Sequence, residues 1–148
     1  MKTIFDKQTR DELIARIGKL NENSTAQWGK MNVYQMLKHC TLYEEMLLGK
    51  KQFKRVFLGR IFGKFALKDL IGNDSPVKQN MPTIPEIRIT DINGDVPSEI
   101  AKWIALLEEH AHPSNAVVVH PFCGKLTQEQ IGYLSYKHTD HHLRQFNS

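Results

Sequence analysis

The chain ends with the sequence TQEQIGYLSYKHTDHHLRQF, residues 127–146, which indicates both the fold class and a candidate site. Its first four residues form the capping-box pattern that begins a helix, and apolar residues then recur at helical spacing. At about 100° per residue, His138 lies in the middle of this apolar stripe, with His141 and His142 about 50° to either side. Periodicity alone leaves open which of the two pairs with His138.

Two imidazoles held on one face of a helix can chelate a divalent metal if a third ligand comes from elsewhere. His39, at the edge of the apolar arc of an earlier predicted helix, is the candidate for that third ligand. The competing interpretation is a solvated helix end, because the helix dipole favours positive charge there. Glu44 falls inside the apolar arc and needs a partner. It could orient an imidazole, supply a fourth ligand, act as a base, or form an ion pair with Lys or Arg.

Helical periodicity extends over most of the chain, whose 148 residues suit a single domain. It predicts helices over residues 9–20, 32–48 and 52–70, and another from Pro97 to about residue 110. Gly59 and Gly63 weaken the third of these helices. Residues 72–96 are rich in Pro and Asn and predict a long connection with one extended piece at 86–90, and residues 115–125 predict a loop. The expected architecture is an up-down helical bundle.

The net charge of +4 comes from one segment, because residues 50–68 hold seven Lys or Arg and no acid. The remainder has 13 bases against 16 acids and is slightly acidic. Aromatic residues alternate with these cations, a composition that suits nucleic acid or an anionic membrane surface. The favoured interpretation is a bundle helix that buries its Phe face while Lys and Arg extend to water. Nucleic acid and membrane are therefore not expected partners.

The two cysteines, Cys40 and Cys123, lack C-x-x-C spacing, which argues against a disulfide framework or a Cys-rich zinc site. Cys40 lies on the apolar face of its helix and is expected in the core. No apolar run approaches the ~20 residues that span a bilayer. The first seven residues include the charged Lys2, Asp6 and Lys7 and carry no signal-peptide pattern, so a cytoplasmic location is expected.

Four sequence blocks resemble the DinB-like (DinB/YfiT) superfamily, and the resemblance covers nearly the whole chain. They are WGKMN at 28–32, QMLKH at 35–39, HPFCGKLT at 120–127, and His138 followed by HLRQ at 142–145. The resemblance looks closest to an uncharacterised bacterial subgroup. It implies an all-α, up-down four-helix bundle, here with an extra basic helix and a long crossover loop, and often a homodimer.

The resemblance also implies a divalent metal, most often nickel or zinc, held by His39, His138 and His142. It thereby selects His142 over His141 as the second ligand on the last helix. Superfamily members commonly end His-Arg-Gly-Gln, whereas this chain has Leu143 and Arg144 after the ligand, so an anion-binding role does not carry over to Arg144. Characterised relatives are thiol-dependent transferases and an isomerase. The implied partner is a small-molecule substrate, with a low-molecular-weight thiol as the expected co-substrate in S-transfer or hydrolytic chemistry.

Beyond the three histidines, Glu44 and His120 are candidates for a catalytic role. His120 could line the mouth of the site or hydrogen-bond its loop to the bundle. Cys123 could be a nucleophile beside it, although a structural role is preferred. His110 and His112 are expected on the surface near a helix end.

Three functions remain open. The first is a metal-dependent enzyme, the second is a binder of anionic surfaces or nucleic acid through residues 50–68, and the third is a non-catalytic bundle that a metal stabilises.

Overall fold

The structure is a computed structural model that describes residues 1–113 and 117–148. These residues are predominantly helical, which confirms the predicted all-α class. The five α-helices are α1 Lys7–Ile17, α2 Val33–Leu47, α3 Phe57–Ile71, α4 Val96–Glu109 and α5 Gln128–Gln145. A short 3₁₀ turn, Pro85–Ile87, lies in the crossover, and strands β1 Val119–His120 and β2 Gly124–Lys125 form an antiparallel hairpin before α5.

Most of these helices begin at a side chain that accepts a hydrogen bond from the otherwise free amides of the first turn. Asp6 caps α1 and Asp95 caps α4 in this way. Asn32 at the start of α2 and Thr127 at the start of α5 form full capping boxes, in which a Gln three residues later bonds back to the cap. The start of the last helix is thus where its local sequence predicts it.

Helix α2 is at the centre of the packing, because it contacts both α4 and α5. Helix α1 packs against the same two helices. Trp103 of α4 and Leu37 of α2 are fully buried in the main core, together with Leu143 near the end of α5. Cys40 is also buried there, as expected. The contact between α2 and α5 places the predicted metal ligands on facing surfaces, although His39 and His138 are 99 residues apart in sequence.

Two details of the loops differ from the predictions. The piece expected to be extended at 86–90 begins instead as the 3₁₀ turn, since Pro85 has the backbone angle that starts such a turn. The loop expected at 115–125 contains the small hairpin, and its residues 115 and 116 lie outside the described residues. The left-handed φ of +88° at Gly124 allows this hairpin to turn tightly.

Helix α3 is oriented opposite to expectation. Its glycines lie against the loop of the hairpin, where a β-carbon at Gly59 would lie 2.5 Å from the carbonyl oxygen of Phe122, and one at Gly63 would overlap the same atom. Phe57 and Phe65, on the other side of α3, are 73% and 76% exposed. The prediction that the Phe face is buried is therefore wrong, because backbone contact through glycine occupies the inner face.

No helix in the described ranges combines the length and the apolar character that crossing a membrane requires.

Candidate metal centre

Three imidazoles converge between α2 and α5. One ring nitrogen from each of His39, His138 and His142 lies within 4.8 Å of the other two. The Nε2 atoms of His39 and His138 are 3.0 Å apart, and the His142 ring lies edge-on to both of the other rings. His39 and His142 are buried, whereas His138 keeps part of its surface accessible. This cluster could hold a metal ion.

The ring of His39 is oriented by the crossover between α3 and α4. Its Nδ1 lies 3.0 Å from the carbonyl oxygen of Ile87, a residue that is itself buried. A carbonyl can only accept, so Nδ1 must carry the proton and donate it. The lone pair of His39 is thereby placed on Nε2, the atom that faces His138.

The ring of His142 is oriented through a chain of contacts that ends in the connection between α1 and α2. Its Nδ1 lies 2.8 Å from Oε1 of Gln145, and Nε2 of the same amide donates to the carbonyl oxygen of Trp28. That second bond fixes which end of the amide faces His142, so the imidazole Nδ1 carries the proton. Gly29 has a φ of +82°, and a β-carbon there would lie 2.7 Å from Nε2 of Gln145. The glycine therefore leaves room for the amide that directs the Nε2 lone pair of His142 into the cluster.

His138 is held by ring stacking and by the contact of its Nε2 with Nε2 of His39. The ring of Tyr43, from α2, stacks on it with a centroid separation of 3.7 Å and an interplanar angle of 13°. Its Nδ1 is buried and has no hydrogen-bond partner in the described part of the chain. The Tyr43 hydroxyl is not a competing ionised ligand, because burial raises the pKa of the phenol well above its usual value.

The electrostatics of the cluster favour neutral imidazoles. Burial lowers the pKa of His39, and the hydrogen bond to the Ile87 carbonyl opposes this only in part. Burial, followed by the neighbouring histidines, holds the pKa of His138 well below its usual value. The pKa of His142 is also well below its usual value, first because of burial and then because of His39. Neutral imidazole is the form that binds a metal, so the three rings are in the ligating state at neutral pH.

His141 lies beside the cluster without joining it. Its ring packs edge-on against Trp28 and against His142, and its pKa is lowered by burial, with a hydrogen bond to the backbone of Val77 opposing that shift. The structure therefore brings His142, rather than His141, together with His39 and His138.

Glu44 is fully buried and lies outside the three-histidine cluster. Its carboxyl group lies 2.8 Å from Nε2 of His110 and accepts hydrogen bonds from Ser135 and Thr139 of α5. The expectation that His110 lies on the surface is wrong, since only 2% of it is exposed and it faces Glu44. The end of α4 points this imidazole into the core, whereas His112 is exposed as expected.

His120 fastens its own loop. Its Nδ1 accepts hydrogen bonds from the backbone amides of Phe122 and Cys123, and its ring packs edge-on against Tyr43. Burial, followed by the charge of Arg55, lowers the pKa of His120 to about 4. The Tyr43 ring thus contacts both His120 and the cluster member His138.

The Cys123 thiol is poorly suited to act as a nucleophile. Burial raises its pKa to about 11, although the charge of Arg55 opposes the shift. The thiolate is the reactive form, and little of it is present at neutral pH.

The family of the chain follows from a match over nearly its whole length. Residues 4–148 match the model of a family described as a protein of unknown function (DUF1569), and the chain belongs to that family. No curated protein and no solved structure matches it significantly.

Sequence reasoning missed the residues that orient the ligands. Ile87 acts through its backbone carbonyl, which any residue type supplies, so no side-chain pattern could reveal it. Gln145 and Trp28 were both in the blocks that carry the superfamily resemblance, but their contact over 117 residues of sequence is visible only in the fold.

Proposed function

We propose that the protein is a divalent-metal-dependent enzyme whose ion is held by His39, His138 and His142. The convergence of three ring nitrogens within 4.8 Å carries this proposal. Three neutral imidazoles leave coordination positions free, the feature that separates catalytic from structural metal sites. The partial exposure of His138 supports access for water or a small substrate.

The donor set fits a metal such as nickel or zinc. Imidazole nitrogen suits both, with typical bond lengths of about 2.0–2.1 Å for zinc. The Nε2 lone pair of His39 lies 3.0 Å from Nε2 of His138, which donates to it in one tautomer of His138 and in the other presents a second lone pair, the arrangement that binds a cation. Since the Ile87 carbonyl holds the proton of His39 on Nδ1, a cation satisfies this arrangement well. A bound divalent ion would supply Lewis-acid chemistry that activates water or a thiol.

The residues of the chain prepare the site in advance. The Ile87 carbonyl and the Gln145 amide fix the tautomers and directions of two ligands, and Tyr43 restricts the third by stacking. Ligands held in this way keep their geometry when a substrate replaces solvent.

The superfamily resemblance supports a finer proposal. We infer a four-helix bundle of the DinB/YfiT type formed by α1, α2, α4 and α5, acting as a homodimer on a small molecule. A low-molecular-weight thiol is the proposed co-substrate, in S-transfer or hydrolytic chemistry. In this proposal the ion is the catalytic group, while Glu44 and His120 stabilise the scaffold around it.

Elemental analysis of untagged protein tests the metal site. We expect about one nickel or zinc ion per chain, lost in His39→Ala, His138→Ala and His142→Ala. His141→Ala is the matched control, because it removes an adjacent imidazole that does not converge with the others, and it should keep the metal. Wild-type protein that stays metal-free after incubation with both ions would contradict the proposal.

A second experiment separates an enzyme from a bundle that the metal only stabilises. Metal-loaded protein is assayed with a panel of thiol acceptors and esters, with and without a chelator. Turnover that the chelator abolishes supports the enzyme. A lower melting temperature after chelation, without turnover on any substrate, favours the stabilising role instead.

A further inference from the structure

Helix α3 presents an apolar surface to solvent. Five large apolar residues on this helix, here called the apolar face, are each between 53% and 76% exposed: Phe57, Leu58, Ile61, Phe62 and Phe65. At about 100° per residue they occupy one continuous arc of about 140°. The other large apolar residues exposed in the described ranges are scattered along the chain and include Met81 and Ile92. A contiguous surface of this kind marks an interaction site.

The scaffold fixes this orientation. Gly59 and Gly63 allow α3 to approach the backbone of Phe122 more closely than any side chain would permit. Arg55, just before the helix, donates hydrogen bonds to the carbonyl oxygens of Pro121 and Gly59. The apolar face therefore cannot turn inward without breaking these contacts.

Cations border the apolar face. Arg60, Lys64 and Lys68 lie along one edge of the arc, and Lys54 precedes the helix. None of these four forms an ion pair within the part of the chain that the structure describes, whereas Lys50 is paired with Glu109. A cleft of about 480 Å³ beside α3 is lined by Lys64 and Lys68 together with Lys125 and Gln130. These free ammonium groups suit phosphate-bearing headgroups.

We propose that α3 docks the protein onto an anionic lipid surface, with the apolar face inserted at the level of the headgroups. An amphipathic helix with Phe and Leu on one face and Lys or Arg beside them has the composition of an interfacial helix. The charge beside the apolar face favours a lipid surface over a second copy of the chain as its partner. Two copies packed antiparallel through α3 would bring their cationic edges together, with Asp69 as the acid that α3 itself contributes. An anionic bilayer neutralises the same cations.

Vesicle co-sedimentation of the full-length, metal-loaded protein tests the proposal. We expect binding to phosphatidylcholine vesicles that contain phosphatidylglycerol to be at least about tenfold tighter than binding to phosphatidylcholine alone, and to weaken with salt. The variant Phe57→Ser/Phe62→Ser/Phe65→Ser should lose about tenfold or more of this binding. Met81→Ser/Ile92→Ser is the matched control, because it removes exposed apolar side chains elsewhere, and it should bind like wild type.

A charge variant, Arg60→Gln/Lys64→Gln/Lys68→Gln, should bind more weakly and with a smaller dependence on salt. The melting temperature and metal content of both the Ser and the Gln variants should match those of wild type, because the altered side chains face solvent. A further measurement does not depend on a loss of vesicle binding. On anionic vesicles the tryptophan emission of a Phe65→Trp variant should move to shorter wavelength, and that of Ile92→Trp should not.

Three results would overturn the proposal. Equal binding to both vesicle types, or to neither, would exclude an anionic lipid surface. A dimer in sedimentation that the triple Ser variant dissociates, without lipid binding, would assign the apolar face to a second copy. Binding to duplex DNA that depends on the cations but is unaffected by the Ser substitutions would assign the segment to nucleic acid.

Discussion

Glu44 joins three parts of the fold, and its removal should be among the most destabilising single changes in the protein. The carboxyl group is fully buried between α2, the end of α4 and the middle of α5. It lies 2.8 Å from Nε2 of His110 and 2.9 Å from the hydroxyl of Ser135. In Glu44→Leu these polar groups stay buried and lose their shared acceptor. A buried polar group left in this way costs about 1–3 kcal/mol, and because His110 and Ser135 are both left so, we expect a loss of about 3–5 kcal/mol in total.

For a chain of this size, a loss of about 3–5 kcal/mol corresponds to a fall of about 10 °C or more in melting temperature. Urea unfolding followed by circular dichroism, at matched pH, measures the change in free energy of unfolding. The experiment is run with and without chelator, because a bound metal adds its own stabilisation.

Two further variants test the cause. Glu44→Gln keeps the shape and one acceptor, so it should cost less than half as much as Glu44→Leu. Combining Glu44→Leu with His110→Phe removes a stranded partner and should recover part of the lost stability. If the free energy of unfolding of Glu44→Leu lies within about 1 kcal/mol of the wild-type value, Glu44 and its partners His110 and Ser135 do not join the helices in the way described.

Three other predictions concern different parts of the structure. Gln145→Ala removes the amide that directs one ligand and should weaken metal binding about 10–100-fold in a chelator competition; an unchanged affinity would show that the amide is not needed. Burial would raise the pKa of Asp140, but hydrogen bonds from Arg16 and Arg144 outweigh it and the pKa is lowered. Asp140 therefore stabilises the fold at pH values above its pKa in the unfolded chain, and this stabilisation is lost as the pH falls through its pKa in the folded protein. Asp140→Asn should be less stable than wild type at pH 7, and the difference in free energy of unfolding, measured in urea, should disappear in acid. Gly63→Ala forces a β-carbon into the backbone of the hairpin loop and should cost about 2 kcal/mol or more in free energy of unfolding. At Gly18, by contrast, φ is −64° and a β-carbon would make only ordinary contacts, at 3.6 Å or more, so Gly18→Ala should be neutral or stabilising by up to about 1 kcal/mol in the same assay.

The parts of the fold that could be predicted are those whose causes are local. The capping box at Thr127 depends on residues only three apart, and the start of α5 falls there. Helical pitch placed His138 in the apolar stripe but could not separate His141 from His142, because both lie at similar angles from it. The burial of His110 was missed because its partner, Glu44, is 66 residues away.

The orientation of α3 shows a different limit. Periodicity reveals that a helix has two faces, and hydrophobicity predicts that the apolar face is the inner one. Here Gly59 and Gly63, spaced by four residues, mark the inner face through backbone contact. A glycine pair at helical spacing therefore indicates close backbone packing as well as a weaker helix.

The contacts that orient the ligands are distinct from those that hold the helices together. Metal affinity and the stability of the metal-free chain, which are usually linked, should therefore vary separately. His39 and His142 are directed by the crossover and by the connection between α1 and α2, through Ile87 and Gln145. The contact of α2 with α5 is instead fastened by Glu44, one turn beyond His39. Gln145→Ala should therefore change metal affinity far more than the stability of the metal-free chain, and Glu44→Gln should do the reverse. If both variants changed both quantities in proportion, the loops and the helical interior would form a single cooperative unit, and the geometry of the site could not be adjusted independently of the fold.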